Sequence, residues 1–333
     1  MRVLVAIPDL FVLAGNVHMT LKLADMLKDM GHDVNVIYSD IRPDDKKYYS
    51  LDEITEYYPL KTLDAGDFEK EVWMDYYNAL LARLGWHDDV QYDLFVTSYE
   101  NLAYINEDVD IPQIFYVHWP DRPKGPTCSV WTNSEFTRQK VLKRWRRDAE
   151  VLNPPIHIER YESRLSFDER DIDVIGFGQL YPQKGFRYLT PFHERGFNAY
   201  VIGADVRHEL PRVTEVVSNA TFKEVRDLLS RTKVFVHGKT QEHFGMAIIE
   251  AQASGCATIT HRSGGPVSDI ILDEKYGLLF QTEDELVSKG VRLLTSEEHW
   301  KKYHQLALEG VKRYDYPLIK NRMANLLRRV RDT

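Results

Sequence analysis

Two carboxylates eight residues apart, Glu242 and Glu250, lie in the stretch QEHFGMAIIEAQASG, residues 241–255, with Gly245 between them. Carboxylates accept hydrogen bonds from vicinal hydroxyls. A helix start offers unpaired N–H groups and a partial positive charge, which suit a phosphate. Gly245 lets a ligand approach the backbone closely. Glu242 just before such a helix and Glu250 inside it fit a ligand with phosphates in its middle and hydroxyls at both ends, the layout of a nucleotide sugar. The plain alternative is a loop glutamate and a solvated helix glutamate.

Two further loops share this character. In HRSGGPVSD, Gly264 and Gly265 precede Pro266, which suits a first helical turn, so a second phosphate cradle is expected there. In GFGQLYPQKGF, Lys184 can neutralise a diphosphate and stabilise it as a leaving group. Each pattern is common alone, and each has a bland reading as a turn or a solvated lysine. Their weight comes from recurring at the ends of successive strands of one sheet, where such folds bind ligands. The triplets Asp108–Asp110 and Asp171–Asp173 have the form that elsewhere holds a divalent metal. In so acidic a chain they are read as coincidence, and no metal site is expected.

The elements that must carry these loops alternate. RVLVAIPD reads as a strand, GNVHMTLKLADMLKDMG as a helix stopped by Gly31, and HDVNVIYS as a second strand, which makes a βαβ unit. Strands are expected at YDLFVTS, PQIFYVHW, SVWTNS and AEVLNPP, with a long helix at FEKEVWMDYYNALLARLG. A second series follows Pro154-Pro155. Its strands are DVIGFGQL, NAYVIGA, KVFVHGK, CATITH and YGLLF. Its helices are GFRYLTPFHERG, TFKEVRDLLSRT, GMAIIEAQASG and PVSDIILD. This order predicts an α/β protein with two doubly wound, Rossmann-like parallel-sheet domains facing across a cleft. Residues 1–155 form the first domain and 156–315 the second, with a C-terminal helix over 316–333 packing back on the first.

The 333 residues suit two domains. A net charge of −8 argues against nucleic acid as a partner. Cys128 and Cys256 have no metal-ligand spacing, which points to a reducing compartment. No stretch approaches the ~20 apolar residues of a membrane span. A cytoplasmic protein is expected, with membrane association on the cytoplasmic face left open. Against the acidic background, FTRQKVLKRWRR carries six cations, and the C-terminal helix adds Arg322, Arg328, Arg329 and Arg331. Two readings stand side by side: solvated helix faces, or a peripheral membrane contact through the basic helix 136–147.

The stretch EHFGMAIIEAQASGCATITHRSGGPVSDII resembles the donor-binding signature of the retaining family-4 glycosyltransferases of GT-B fold. The wording is most like the α-1,2-mannosyltransferases that extend lipid-linked oligosaccharides. GFGQLYPQKG, FYVHWP, WTNSEFTRQKVLKRW and VLNPPI are similar to further segments of that subgroup, in register over much of residues 112–271. The N-terminal 110 residues match only in general pattern. The resemblance implies roles. Glu242 holds hydroxyls of the donor sugar, Glu250 the ribose and Lys184 the diphosphate. Backbone N–H groups of Phe244, Gly245 and Met246 hold sugar and phosphate, together with Gly264 and Gly265. His118 reaches the donor sugar, with Glu242 and Lys184 as the other catalytic residues. The loop Leu13–Asn16, with Gly15 and Asn16, closes over the phosphates. Glu100 and Asn101 end an earlier strand and are candidates to line the acceptor site.

Gln179 stands where many members carry an arginine, which removes a bidentate phosphate contact. The mannosyltransferase subgroup shares the glutamine. Gly15 stands alone where the family often has two glycines. The chain is short for its class, so the membrane-anchoring extensions of eukaryotic members are expected to be missing. The implied reaction is metal-independent transfer of a hexose, with retention, to a glycan or lipid-linked acceptor. GDP-mannose is the favoured donor and a UDP-sugar the alternative, serving as substrate with no separate cofactor. A sugar-nucleotide epimerase or phosphorylase of the same fold is the other enzymatic reading. A Rossmann oxidoreductase is disfavoured, because Gly-x-Gly-x-x-Gly is missing after the first strand.

Overall fold

The computed structural model describes residues 1–8, 10, 15–38, 54, 58, 61–64, 80, 92–104, 111–161, 165–179, 181–204 and 211–331. The expected helix at FEKEVWMDYYNALLARLG (apart from Leu80), the triplet Asp108–Asp110, and Leu13 with Ala14 lie outside the described residues. The chain divides into two compact units, Met1–Pro154 with Ile319–Thr333, and Pro155–Leu318.

The first unit holds β1 (Arg2–Ile7), β2 (Asp33–Tyr38), β3 (Lys61–Asp64), β4 (Leu94–Thr97), β5 (Gln113–Val117), β6 (Ser129–Thr132) and β7 (Glu150–Val151). They form one parallel sheet in the order β3-β2-β1-β4-β5-β6-β7. Val3 to Ile7 are fully buried, as expected for a strand covered on both faces. The helix Gly15–Asp29 buries Met19, Leu23, Met26 and Leu27 on one stripe. It ends at Gly31, whose φ of 82° is the left-handed conformation of a helix stop. β7 is only two residues long; the Leu152 N–H still donates to the Thr132 carbonyl at 2.9 Å, and Pro154 and Pro155 beyond it have no N–H to extend the ladder. The C-terminal helix Tyr316–Arg331 buries Ile319, Met323 and Leu327, and its residues from Ile319 on group with this unit. Exposed pairs Lys320–Asp29 (3.4 Å) and Arg329–Glu150 (2.6 Å) add little to that packing.

The second unit holds β8 (Ile172–Gln179), β9 (Ala199–Ala204), β10 (Glu215–Ser218), β11 (Thr232–His237), β12 (Ala257–His261) and β13 (Leu278–Phe280), parallel in the order β10-β9-β8-β11-β12-β13. Strand alternation feeds two cores. Ile175 and Phe235 pack with Ile248, Ile249 and Ile270. Their neighbours Val174, Val234 and Val236 pack on the opposite face with Leu293 and Trp300. Each such side chain contributes roughly 1.5–3 kcal/mol when fully buried.

Thr221 caps the helix Phe222–Ser230 through a reciprocal capping box with Glu224. Thr282 and Ser296 cap Glu283–Thr295 and Glu297–Val311. Arg170, 1% exposed, donates to the carbonyls of Leu165 at 3.3 Å, Ser254 at 2.9 Å and Thr232. It thereby ties the segment before β8 to the start of β11 and to the end of the helix Met246–Ala253.

Two expected helices take other forms. GFRYLTPFHERG splits into a 3-10 turn, Phe186–Leu189, and a four-residue helix, Thr190–His193. Pro191 cannot donate to the turn before it, which separates the two. PVSDIILD is a π-type segment, Pro266–Ile271, followed by left-handed Leu272, Asp273 and Glu274. Among the described residues, no helix is long and apolar enough to cross a membrane.

Candidate active site

The loops after β8, β11 and β12 leave the same edge of the parallel sheet, the C-terminal edge that binds ligands in open α/β folds. Lys184 ends a 3-10 turn, Pro182–Lys184. The next residue, Gly185, has φ 74°, and a Cβ there would stand 2.6 Å from the carbonyl carbon and oxygen of Gly238. Only glycine permits this approach of two backbones, and it brings Lys184 beside the loop that follows β11.

That loop carries Glu242, which is only 8% exposed. Lys184 Nζ lies 3.3 Å from its Oε2, and Lys239 Nζ lies 3.1 Å from its Oε1. The His243 backbone N–H donates to Oε1 at 3.0 Å. His237, the last residue of β11, places Nε2 3.3 Å from Oε2, close but outside hydrogen-bond alignment. Burial pushes the Glu242 carboxyl up. His237, Lys184 and Lys239 together outweigh it and hold the group well below the usual carboxylate range. Burial, ahead of the opposing pull of Glu242, depresses the His237 imidazole. A buried carboxylate with two ammonium groups is costly to assemble, and such clusters at a ligand-binding edge mark functional sites.

The Gly-Gly loop after β12 corrects one expectation. Gly265 N–H donates to the Glu242 carbonyl at 2.7 Å, so it is committed within the protein and is not part of a free phosphate cradle. A Cβ on Gly264 or Gly265 would fall under 3.0 Å from backbone atoms of Glu242 or His243. These glycines let the β12 loop pack against the loop that carries Glu242. Ser263 Oγ strengthens the join, accepting from the Gln241 N–H at 2.9 Å and lying 2.9 Å from His261 Nδ1. Arg313 donates to the carbonyls of Asp269 (2.8 Å) and Ile270 (2.6 Å), and the Tyr314 hydroxyl donates to Asp269. The π-type segment behind the glycines is thereby fixed.

Gly245, at φ 105°, precedes the helix Met246–Ala253. Phe244 turns its ring into the core, edge-on to Tyr314 at 5.2 Å, which leaves only its backbone for a ligand. Met246 opens the helix and Glu250 lies within it, half-buried. Gln179 ends β8 beside Ala204. The second unit thus gathers Lys184 and Glu242 directly, with Gly264 and Gly265 as packing.

The remaining candidates for donor, phosphate and acceptor contact lie in the first unit. Gly15 and Asn16 form the first turn of the helix Gly15–Asp29, where the helix read from the sequence begins, and they are the described part of the loop Leu13–Asn16. His118 follows β5, with its ring 5.2 Å from that of Tyr116. Glu100 Oε1 accepts from the Arg122 N–H at 2.8 Å, and Asn101 Oδ1 from the Arg122 guanidinium at 2.6 Å. The triplet Asp171–Asp173 begins β8, at the opposite end from Lys184. Asp171 pairs with Arg231, and Asp173 with Lys233 at 2.9 Å.

The basic helix, Glu135–Trp145, uses most of its cations internally. Arg138 bridges Glu135 and Asp148, and Arg144 and Arg147 donate to carbonyls between Asp121 and Cys128. Lys140 lies over the rings of Phe136 (5.0 Å) and Trp119 (5.6 Å).

His237 and Lys239 were missed by sequence reasoning. Both stand in KVFVHGKTQE, at the strand end and three residues before Glu242. That position at a strand's C-terminal end was the available signal.

Residues 207–313 match the family described as Glycosyl transferases group 1. The chain is 25% identical over 206 residues to the GDP-Man:Man(3)GlcNAc(2)-PP-Dol alpha-1,2-mannosyltransferase of Caenorhabditis elegans, covering 51% of this chain and 43% of that protein. To the protein of the same name from Neurospora crassa it is 38% identical over 191 residues, covering 43% and 34%. The chain spans less than half the length of these curated relatives. Its structure is similar to that of Anabaena Alr3699/HepE in complex with UDP-glucose, with a TM-score of 0.81 at 14% identity, covering 98% of this chain and 99% of that one. The fold is the GT-B fold, as the resemblance in sequence implied.

Proposed function

We propose that this chain, which carries a group 1 glycosyltransferase match on a GT-B fold, transfers mannose from GDP-mannose to a hydroxyl of a glycan or lipid-linked acceptor, with retention of configuration. The observation that carries this is Glu242, a buried and strongly ionised carboxylate at the C-terminal edge of the second sheet, flanked by Lys184 and by the helix start at Gly245. The relatives named as GDP-mannose-dependent enzymes support the donor.

In this mechanism Glu242 accepts hydroxyls of the donor sugar. Backbone groups at Gly245 and Met246 meet the phosphates, and Glu250 holds the ribose. The C1–O bond breaks with oxocarbenium character. Lys184 stabilises the departing diphosphate with its positive charge, in a reaction proposed to be metal-independent. Attack from the same face retains configuration, with the leaving phosphate taking the acceptor proton. The enzyme acts in the cytoplasm or at the cytoplasmic face of a membrane. A UDP-sugar donor is the second reading, supported by the structural similarity to a protein solved with UDP-glucose.

Glu250→Ala is expected to weaken nucleotide binding about 10- to 100-fold, the worth of a charged hydrogen bond. Glu242→Ala is expected to lower turnover about 100-fold with a smaller loss of nucleotide affinity. Calorimetry with GDP and UDP, and transfer assays with their mannose and glucose donors, read both. Wild-type rates in both variants would show that the site is elsewhere.

A further inference from the structure

The Glu242 side chain is only 11% exposed, and both of its oxygens are engaged within the protein. Oε1 holds the Lys239 ammonium at 3.1 Å and the His243 N–H at 3.0 Å. Oε2 faces Lys184 Nζ at 3.3 Å and His237 Nε2 at 3.3 Å. The two oxygens differ in what holds them. Oε1 is gripped by groups of its own loop, since Lys239 and His243 flank Glu242 in sequence. Oε2 is gripped across the sheet edge by Lys184 from the turn after β8, and its hydrogen bond to Lys184 is at the long end of the range.

We infer that Lys239 is a positioning residue that clamps Oε1, while the Lys184–Oε2 contact is a latch that the donor's diphosphate opens. The inference rests on the proposed glycosyltransferase reading. A diphosphate offers Lys184 a denser negative charge than one carboxylate oxygen. When the ammonium moves to it, Oε2 becomes the acceptor for the sugar hydroxyl. Lys239 and the His243 N–H keep the carboxylate in place during this exchange. A second ammonium would be redundant if Lys184 stayed on Glu242 throughout. It is required if Lys184 leaves at the moment the carboxylate must remain buried and charged. Among the described residues, Lys184, His237 and Lys239 are the titratable groups that face Glu242 from the elements packed around it.

The sign with pH follows. Glu242 works as the carboxylate, whose pKa is depressed, so activity is present above that pKa and is lost as pH falls through it. Removing Lys239 takes away one depressing charge and moves the acid limb to higher pH. The test uses the full chain as wild type, Lys239→Met and Lys239→Arg, with GDP binding measured by calorimetry and turnover of GDP-mannose followed from pH 3 to 8. UDP and UDP-glucose run in parallel, to cover the alternative donor.

Lys239→Met is expected to bind GDP within about threefold of wild type, and to lose about tenfold in kcat with its acid limb shifted upward. Lys239→Arg is expected to restore both. An unshifted acid limb in Lys239→Met with wild-type kcat overturns the inference. A parallel loss of GDP affinity and melting temperature, not rescued by arginine, makes Lys239 merely structural and also overturns it. If wild type binds neither nucleotide, the functional reading itself has failed, and the inference falls with it.

Discussion

Gly265→Ala and Gly264→Ala separate packing from ligand binding at the loop after β12. In both, the new Cβ would fall under 3.0 Å from backbone atoms of Glu242 or His243, which are not the movable ends of side chains. Gly264 also sits at φ 80°, which costs a non-glycine residue about 1–2 kcal/mol. Overpacking adds about 1–3 kcal/mol, and displacing the Gly265 N–H from the Glu242 carbonyl adds about 1 kcal/mol. Partial relaxation of the loop leaves an expected loss of about 2–4 kcal/mol, or roughly 5–15 °C in melting temperature for a unit of this size. Because the displaced atoms belong to the Glu242 loop, GDP-mannose turnover is expected to fall at temperatures well below the melt.

Gly15→Ala is the control. Nothing lies within 4 Å of its added Cβ and its backbone is already helical, so stability is expected to stay within about 0.5 kcal/mol or to rise slightly. Differential scanning fluorimetry and GDP calorimetry on the three variants suffice. If Gly265→Ala melts with wild type but no longer binds GDP, its N–H serves the ligand, and the reasoning from backbone packing is refuted.

Asp173→Asn breaks the half-buried pair with Lys233 and weakens the acceptance from the Asn198 N–H, so a loss of about 1–2 kcal/mol is expected, with GDP affinity unchanged. Changed affinity would return the Asp-x-Asp triplet to the binding site. At the basic helix, Arg138, Arg144 and Arg147 are held by groups of their own unit, which leaves Lys143 and Arg146 as the outward cations. Flotation with anionic liposomes at physiological salt is expected to be unaffected by Lys143→Glu with Arg146→Glu. Flotation lost in that double variant would establish the helix as a lipid-facing surface.

The parallel α/β architecture was legible because buried strands such as VLVAI and VFVH are apolar on both faces and are punctuated by glycine and proline. β10 was missed for the same reason in reverse. EVVS is short, lies at a sheet edge and has no buried residue, so nothing in its pattern distinguishes it from a loop. The helices Glu283–Thr295 and Glu297–Val311 carried ordinary signals, Thr282 and Ser296 before acidic first turns, yet no function pointed at them and they went unassigned. The π-type segment at Pro266–Ile271 was beyond local reasoning, since Arg313 and Tyr314, more than forty residues away, satisfy the carbonyls at its C-terminal end.

The site shows where residue spacing stops being informative. Glu242 and Lys184 were legible as types suited to a nucleotide sugar, yet their 3.3 Å contact depends on Gly185 and Gly238 meeting backbone to backbone. Gly264 and Gly265 were also legible as special, and for the Gly265 N–H the structure gives a partner within the protein in place of the expected phosphate. A glycine tolerates a ligand and a neighbouring strand-end loop for the same reason, the lack of a Cβ, so the residue type alone does not say which one approaches. The occupied Gly265 N–H decides it, because a donor already bonded at 2.7 Å to a buried carbonyl must break that bond to serve a phosphate. The phosphate contacts are therefore best sought at Lys184 and at the backbone from Gly245 onward. The β12 loop fixes where Glu242 stands, which is its part in the proposed reaction.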